Sequence, residues 1–221
     1  MIQLNPRTDV LLHCPALAKY MLDWQQAEYE EMQEDTDEDE LADFRQLTDD
    51  VTITYPHSLI GEQVYKLEAD NIYDYVQLLS DKVFLLADLM GWQALSFIAL
   101  YKTPWLQQQN AYPPVAAELK YLQSIGVNMN CTDAITATGV ELKRVLKTIF
   151  WLGRCNALLP YIHFAATGAD WVFYICKYGY LHVYSYQNQA LIDGKLKEAG
   201  FSLYTGMQED FLEGGAMIGR L

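Results

Sequence analysis

The segment 171–186 constrains the fold most, because it predicts a β-hairpin that is apolar on both faces. Its two halves, 171–177 and 180–186, are rich in aromatic and β-branched residues, and the Tyr178-Gly179 pair between them is typical of a tight turn. Large apolar side chains on a sheet have to be covered. The fold therefore needs helices on both faces of this hairpin, or one face has to bind a partner.

The register of the hairpin decides which side chains share a face. With a loop of two or four residues, Phe173 pairs with Tyr184 and Trp171 pairs with Tyr186. Tyrosine contributes 16 of the 221 residues, and Tyr and Trp are side chains that protein interfaces favour. We expect partner contacts from one aromatic face, which carries Trp171, His182, Tyr184 and Tyr186. The alternative is that this face is part of a covered core.

The rest of the chain predicts an α+β protein with a single domain, 1–221. Apolar residues recur at helical spacing in a helix-rich part, 13–155, and strand-like runs follow in a sheet part, 156–221. Helices are predicted at 15–34, 36–47, 71–90, 92–101, 114–125, 139–152 and 189–199, and strands at 51–55, 161–165, 171–177, 180–186 and 201–204. We expect a helical N-terminal two-thirds packed on a small C-terminal antiparallel sheet of three or four strands.

The longest apolar window, 83–101, is as long as a membrane span but is interrupted. It contains Asp88, and a carboxylate at the centre of a span costs about 2.5–3.5 kcal/mol on insertion scales. Gly91 lies near its middle. We interpret the window as buried helix that breaks near Gly91, and we expect no membrane association.

The net charge of −14 is concentrated in one segment. Residues 28–50 carry twelve carboxylates and one arginine, a net charge of −11, so the rest of the chain is nearly balanced. Nucleic acids and anionic lipid surfaces are bound through an excess of Lys and Arg, which this chain lacks. The charge therefore argues against both and indicates a basic partner protein.

Helix electrostatics explain only half of the acidic segment. Thr36 is predicted to cap the second helix, and carboxylates in a first helical turn are favoured by the macrodipole. The carboxylates at the end of the first helix oppose its macrodipole instead. Of these, Glu28 and Glu31 follow Trp24 on the stripe that faces inward, so we expect the helix end to leave the core. The predicted partner-binding carboxylates are Glu28, Glu30, Glu31, Glu34, Asp35, Asp37, Glu38, Asp39 and Glu40.

Two other interpretations of the acidic segment are open. It could be a solvated connection, as most charge blocks are. It could also bind calcium, because Asp35, Asp37 and Asp39 match the first ligands of an EF-hand loop. However, Glu40 occupies the position that requires glycine, and Gln46 occupies that of the bidentate glutamate.

The sequence contains none of the common nucleotide-binding, acyl-transfer or zinc-protease motifs. Its four histidines lack metal-ligand spacing, so we predict no catalytic residue, no metal and no cofactor. The four cysteines form no close pair, which is typical of reduced thiols in the cytoplasm.

The sequence favours a cytoplasmic binding protein that docks on a basic partner protein. In its most specific form this is an inhibitor or immunity protein that neutralises a nuclease or another toxin by occluding its active site. One alternative is an enzyme with a pocket between the helices and the sheet, using His182, Tyr184, Cys155 or Arg154. Another is a structural or assembly subunit.

Overall fold

The computed structural model describes residues 1–159, 161–207, 212 and 217–221. In that part of the chain, eight strands form one antiparallel sheet with the spatial order β1-β4-β3-β5-β6-β7-β2-β8. The strands are β1 (Ile2–Asn5), β2 (Gly61–Lys66), β3 (Ala94–Ala99), β4 (Ala134–Thr138), β5 (Ile162–Ala165), β6 (Trp171–Ile175), β7 (Leu181–Ser185) and β8 (Ser202–Tyr204). The helices are α1 (Arg7–His13), α2 (Pro15–Asp35), α3 (Glu38–Leu47), α4 (Ile72–Leu89), α5 (Pro113–Ser124), α6 (Val140–Cys155) and α7 (Gln189–Ala199).

Helices cover both faces of the sheet. Successive side chains of a strand point to opposite faces. In β6, Phe173 therefore joins the larger apolar cluster, which α4, α5, α6 and α7 cover, while Val172 joins a smaller cluster under α1 and α2. Helix α3 packs against α2. The covered-core interpretation of the hairpin is therefore confirmed.

The expected small C-terminal sheet is wrong. Four of the eight strands, β1 to β4, lie before residue 156, inside or ahead of the part predicted to be helix-rich (13–155). The C-terminal strands β7 and β8 both pair with β2, which comes from residues 61–66. Strands as short as these have little internal periodicity, and pairing joins segments far apart in sequence. The strand predicted at 51–55 is also wrong, because residues 51–60 have no regular structure.

The helix predicted at 92–101 is in fact β3, a central strand of the sheet. Leu95 to Ala99 are all buried, because this strand is covered on both faces. A strand covered on both faces shows a continuous apolar run, which periodicity does not distinguish from a buried helix. The break near Gly91 is confirmed: α4 ends at Leu89, and Gly91 has a φ of 70°.

The hairpin register differs from the prediction by one residue. Phe173 pairs with Val183 and Trp171 pairs with Ser185. The loop has three residues, 177–179, and ends at Gly179 with a φ of 92°, which is the usual geometry of a three-residue hairpin loop. Trp171 of β6 consequently faces the larger cluster under α4–α7, whereas His182 and Tyr184 of β7 face α2.

None of the helices in the described ranges is both long enough and apolar enough to cross a membrane.

A buried ion pair fixes α1 and the end of α3 against β3. The guanidinium of Arg7 donates to both carboxylate oxygens of Asp49, at 2.9 and 2.7 Å, and the two side chains are 5% and 3% exposed. The remaining terminal nitrogen of Arg7 donates to the backbone carbonyls of Ala99 and Tyr101. All three nitrogens of the guanidinium therefore donate hydrogen bonds.

Gln25 connects the middle of α2 to the same ion pair. Its side-chain amide donates to the carboxylate of Asp49 at 3.1 Å and to the carbonyl of Leu100 at 2.6 Å. Its side-chain oxygen accepts from the backbone N–H of Asp49 at 2.9 Å. The position at which α2 leaves the sheet is thereby fixed.

Replacement of Arg7 by leucine should cost about 3–5 kcal/mol of unfolding free energy, because it leaves a buried carboxylate without its cation. Urea unfolding of Arg7→Leu, Asp49→Asn and the double variant should show that the two losses are not additive. The control is Lys19→Met. It breaks an exposed pair with Asp23 and should change stability by less than about 0.5 kcal/mol. If Arg7→Leu lost no more stability than Lys19→Met, the structural role of the buried ion pair would be contradicted.

Candidate functional site

The second half of α2 borders an open groove of about 770 Å³. One wall is α2. The opposite wall consists of Tyr101, just after β3, and Tyr161, just before β5. The groove is lined by Trp24, Ala27, Glu28, Glu31, Met32, Asp35, Thr36, Tyr101 and Tyr161.

The helical period places acidic residues on the groove wall. Trp24, Glu28, Glu31 and Asp35 follow one another at spacings of four, three and four, so they share one face of α2. No residue of α2 after Gln25 is buried. The expected departure of the helix end from the core is therefore confirmed, and the acidic stripe continues the apolar one.

Two tyrosines form the opposite wall because β3 and β5 are neighbours. Tyr101 comes two residues after the end of β3, and Tyr161 directly precedes β5. The backbone N–H of Leu100 donates to the carbonyl of Tyr161 at 2.8 Å. The hydroxyl of Tyr101 donates to the carboxylate of Glu28 across the groove. Burial and this carboxylate raise the pKa of Tyr101, which keeps the phenol protonated as a donor.

The groove combines three carboxylates with exposed aromatic rings. No Lys or Arg is among the described residues that line it. Trp24 is 46% exposed and Tyr161 is 42% exposed. Carboxylates and the faces of aromatic rings both attract cations, so the groove is suited to a positively charged group.

The other predicted carboxylates lie outside the groove and are exposed. They are Glu30 and Glu34 on α2, together with Asp37, Glu38, Asp39 and Glu40 at the start of α3. The predicted cap Thr36 is wrong by one residue, because Asp37 accepts from the N–H groups of Asp39 and Glu40. Carboxylates in this first turn are favoured by the helix macrodipole, so they need no partner.

A calcium loop is not formed in the acidic segment. Residues 38–47, which would supply most of an EF-hand loop, are helical, and Asp37 uses its carboxylate as a cap. Within the described residues, no group of three or more potential metal ligands comes together.

The four residues predicted on the aromatic hairpin face are buried. Trp171 is 7% exposed and lies in the larger cluster, where its ring centroid is 6.1 Å from that of Trp92. His182, Tyr184 and Tyr186 face α2 and are 2%, 8% and 3% exposed. The hairpin therefore contributes to the site from beneath α2.

A second, much smaller cavity of about 60 Å³ lies between α2 and the sheet. Trp24 and Tyr161 line it as well as the groove, so these two side chains stand at its mouth. The full lining is Tyr20, Trp24, Leu100, Tyr161, His163, Tyr174 and Tyr184.

His163 in this cavity is a buried polar side chain without a proper partner. It is 1% exposed, and no hydrogen bond of normal geometry reaches either ring nitrogen, although a backbone group of Tyr161 is nearby. The rings of Tyr20 and Tyr174 are centred 4.9 and 5.3 Å from it. Burial, with a smaller effect of His182, lowers the pKa of His163 to about 3, so the imidazole is neutral at pH 7.

His182 is held by a carboxylate beside the same cavity. Its Nδ1 lies 2.5 Å from Oε1 of Glu62, and its ring stacks on Tyr174 with centroids 4.2 Å apart. The hydrogen bond to His182 lowers the pKa of Glu62. Burial raises the pKa of Tyr20, which also lines the cavity, to about 12.

The residues considered for an enzyme do not form one site. Cys155 belongs to α6 and to the larger cluster, whereas Tyr184 belongs to the smaller cluster on the other face of the sheet. Arg154 donates to the carbonyl of Lys177 at the hairpin loop. The sheet therefore separates Cys155 from the His182 side.

No protein-family model, curated protein or solved structure matches the chain, so its geometry carries the functional argument.

Tyr101, Tyr161 and His163 belong to the site, although no sequence pattern predicts them there. The apolar run that ends at Tyr101 predicts a helix, and a helix would not place Tyr101 at a strand end. His163 alternates with apolar residues in β5, but nothing in the sequence indicates that its nitrogens lack partners. The stripe of Trp24, Glu28 and Glu31 is the sequence pattern that does predict part of the site.

His163→Leu should raise the free energy of unfolding by about 1–3 kcal/mol at pH 7, because it removes buried polar atoms without partners. The wild type should also lose stability as the pH falls from 6.5 toward 3. In that range the unfolded histidine binds a proton that the folded one does not.

Urea unfolding of both proteins between pH 7 and 4 measures the two effects. The leucine variant should have a shallower dependence on pH, while His13→Gln, at an exposed position, should keep the wild-type dependence. Equal or lower stability of His163→Leu at every pH would show that the imidazole is well satisfied.

Proposed function

We propose that this protein binds a basic segment of a partner protein in the groove beside α2. The observation that carries the proposal is the alignment of Glu28, Glu31 and Asp35 on one wall, opposite Tyr101 and Tyr161, with no cation among the described lining residues. A Lys or Arg side chain entering the groove meets carboxylates on one side and aromatic side chains on the other.

Geometry favours docking over a solvated acidic connection. The acidic segment consists of two packed helices, and the ion pair of Arg7 and Asp49 holds their base. The ring of Phe44 in α3 packs against Tyr101 on the groove wall at 5.6 Å between centroids. A wall fixed in this way loses little conformational entropy when a partner binds.

The charge of the groove should affect the association rate, and its aromatic rings should affect the dissociation rate. Concentrated negative charge speeds the encounter with a basic surface by about 10- to 1,000-fold at low ionic strength. Trp24 and Tyr161 can then bury apolar area, which slows dissociation. Binding should therefore depend on salt mainly through the association rate.

The most specific form of the proposal is a cytoplasmic inhibitor or immunity protein whose partner is a nuclease or another toxin. A nuclease binds the phosphates of its substrate through a basic cleft. The exposed carboxylates of α2 and α3 would occupy that cleft. Charge complementarity is what supports this form.

The groove is tested with Glu28→Gln/Glu31→Gln/Asp35→Asn. The matched control is Glu30→Gln/Glu34→Gln/Asp43→Asn, which removes the same charge from exposed positions that do not line the groove. Binding of a fluorescein-labelled nine-residue peptide with alternating Lys and Gly is measured by anisotropy at 20 and 200 mM salt. The groove variant should bind at least about 10-fold more weakly than the control at low salt.

Capture of proteins from native cell extract with the same three proteins extends the test. Partners that bind wild type and control but not the groove variant identify the target, and a purified target is then assayed for inhibition. Equal peptide binding by both variants would overturn the groove as the binding site.

A further inference from the structure

The small cavity beneath the groove has a lining that selects among cations. Tyr20, Tyr174 and Tyr184 surround it, and Trp24 and Tyr161 stand at its mouth. The face of an aromatic ring carries negative partial charge, so a lining made mostly of such rings favours a cation over an anion or a neutral polar group. The carboxylates of the groove lie just outside the mouth and favour the same sign of charge.

His163 adds a requirement for a hydrogen-bond donor. A neutral imidazole has one acceptor nitrogen and one N–H, and here neither has a partner of normal geometry. Both nitrogens are closed to water in the free protein, so an occupant reaches the acceptor nitrogen by displacing the neighbouring rings. By donating to it, the occupant recovers part of the free energy lost by its burial. Quaternary ammonium groups carry no donor and leave this nitrogen unpaired.

The size of the cavity and its aromatic lining favour a small, flat group. At about 60 Å³ it holds roughly two water molecules, given about 30 Å³ for each in the liquid. A guanidinium group is planar, stacks on aromatic rings and is more weakly hydrated than an ammonium group, so it loses less on entering such a pocket.

We propose that this cavity is a specificity pocket for one arginine side chain of the partner, which enters between Trp24 and Tyr161 and donates to His163. The inference rests on the proposed function, since the groove must first hold the basic segment. The carboxylates of the groove then supply affinity for any basic segment, and the pocket supplies the preference for arginine.

The test uses three labelled peptides that have the same charge and differ only at the central position. They carry Arg, Lys or trimethyl-lysine within the alternating Lys-Gly sequence, and dissociation constants are measured by anisotropy at low salt. The Arg peptide should bind the wild type about 10-fold more tightly than the other two. His163→Leu should lower the affinity for the Arg peptide to that for the Lys peptide and leave the Lys peptide unchanged.

A second variant keeps the test decisive if His163→Leu fails to fold. Tyr161→Leu removes a half-exposed ring from the mouth and should abolish the same preference. In the wild type, the ¹⁵N NMR shifts of the His163 ring should change with the Arg peptide and not with the Lys peptide.

The outcomes distinguish a failure of the pocket alone from a failure of the groove. Equal affinity for the three peptides, with weaker binding by the groove variant, overturns the arginine pocket and leaves the groove standing. If the trimethyl-lysine peptide binds most tightly, the occupant does not need to donate a hydrogen bond to His163, and the arginine pocket is overturned. Absence of binding by all three peptides overturns both the pocket and the proposed function.

Discussion

The buried ion pair between Arg7 and Asp49 determines where the candidate site can form. Two charges removed from water are tolerated only when they are paired and their other donors and acceptors are used. Here those partners come from two directions: the carbonyls of Ala99 and Tyr101 at the end of β3, and the side-chain amide of Gln25 in α2, whose oxygen also accepts from the backbone N–H of Asp49. One interaction thus fixes the base of both acidic helices relative to the sheet.

The groove follows from this constraint. Up to Gln25, α2 lies on the sheet, and beyond it the helix continues past the ends of β3 and β5. Its inward stripe then has no sheet to cover and carries Glu28 and Glu31 in place of apolar residues. The same ion pair also removes Asp49 from the exposed acidity. The charge available to a partner is therefore smaller than the sequence total and more localised.

The aromatic network beneath α2 is where the proposed binding role would work against stability. A covered face with several tyrosines needs no histidine for packing, yet His163 is buried there with nitrogens that lack partners of normal geometry. Such an arrangement costs free energy in the isolated protein. A ligand that forms a hydrogen bond with the imidazole would explain why this cost is retained. The cavity adjoins the acidic groove, so a ligand would reach His163 through the groove.

The sequence by itself determined the local features: the end of α4 before Gly91, the aromatic hairpin, and the acidic stripe that follows Trp24. These depend on turn chemistry and helical period, which act within a few residues. Only the tertiary structure decided that 94–99 is a strand, that Gly179 closes a three-residue loop, and that Tyr101 and Tyr161 face Glu28. Burial on both faces removes the periodicity of a central strand, and strand pairing joins residues that no local pattern connects. The acidic half of the site could thus be found in the chain, whereas its aromatic half and His163 emerged only when the sheet brought distant segments together.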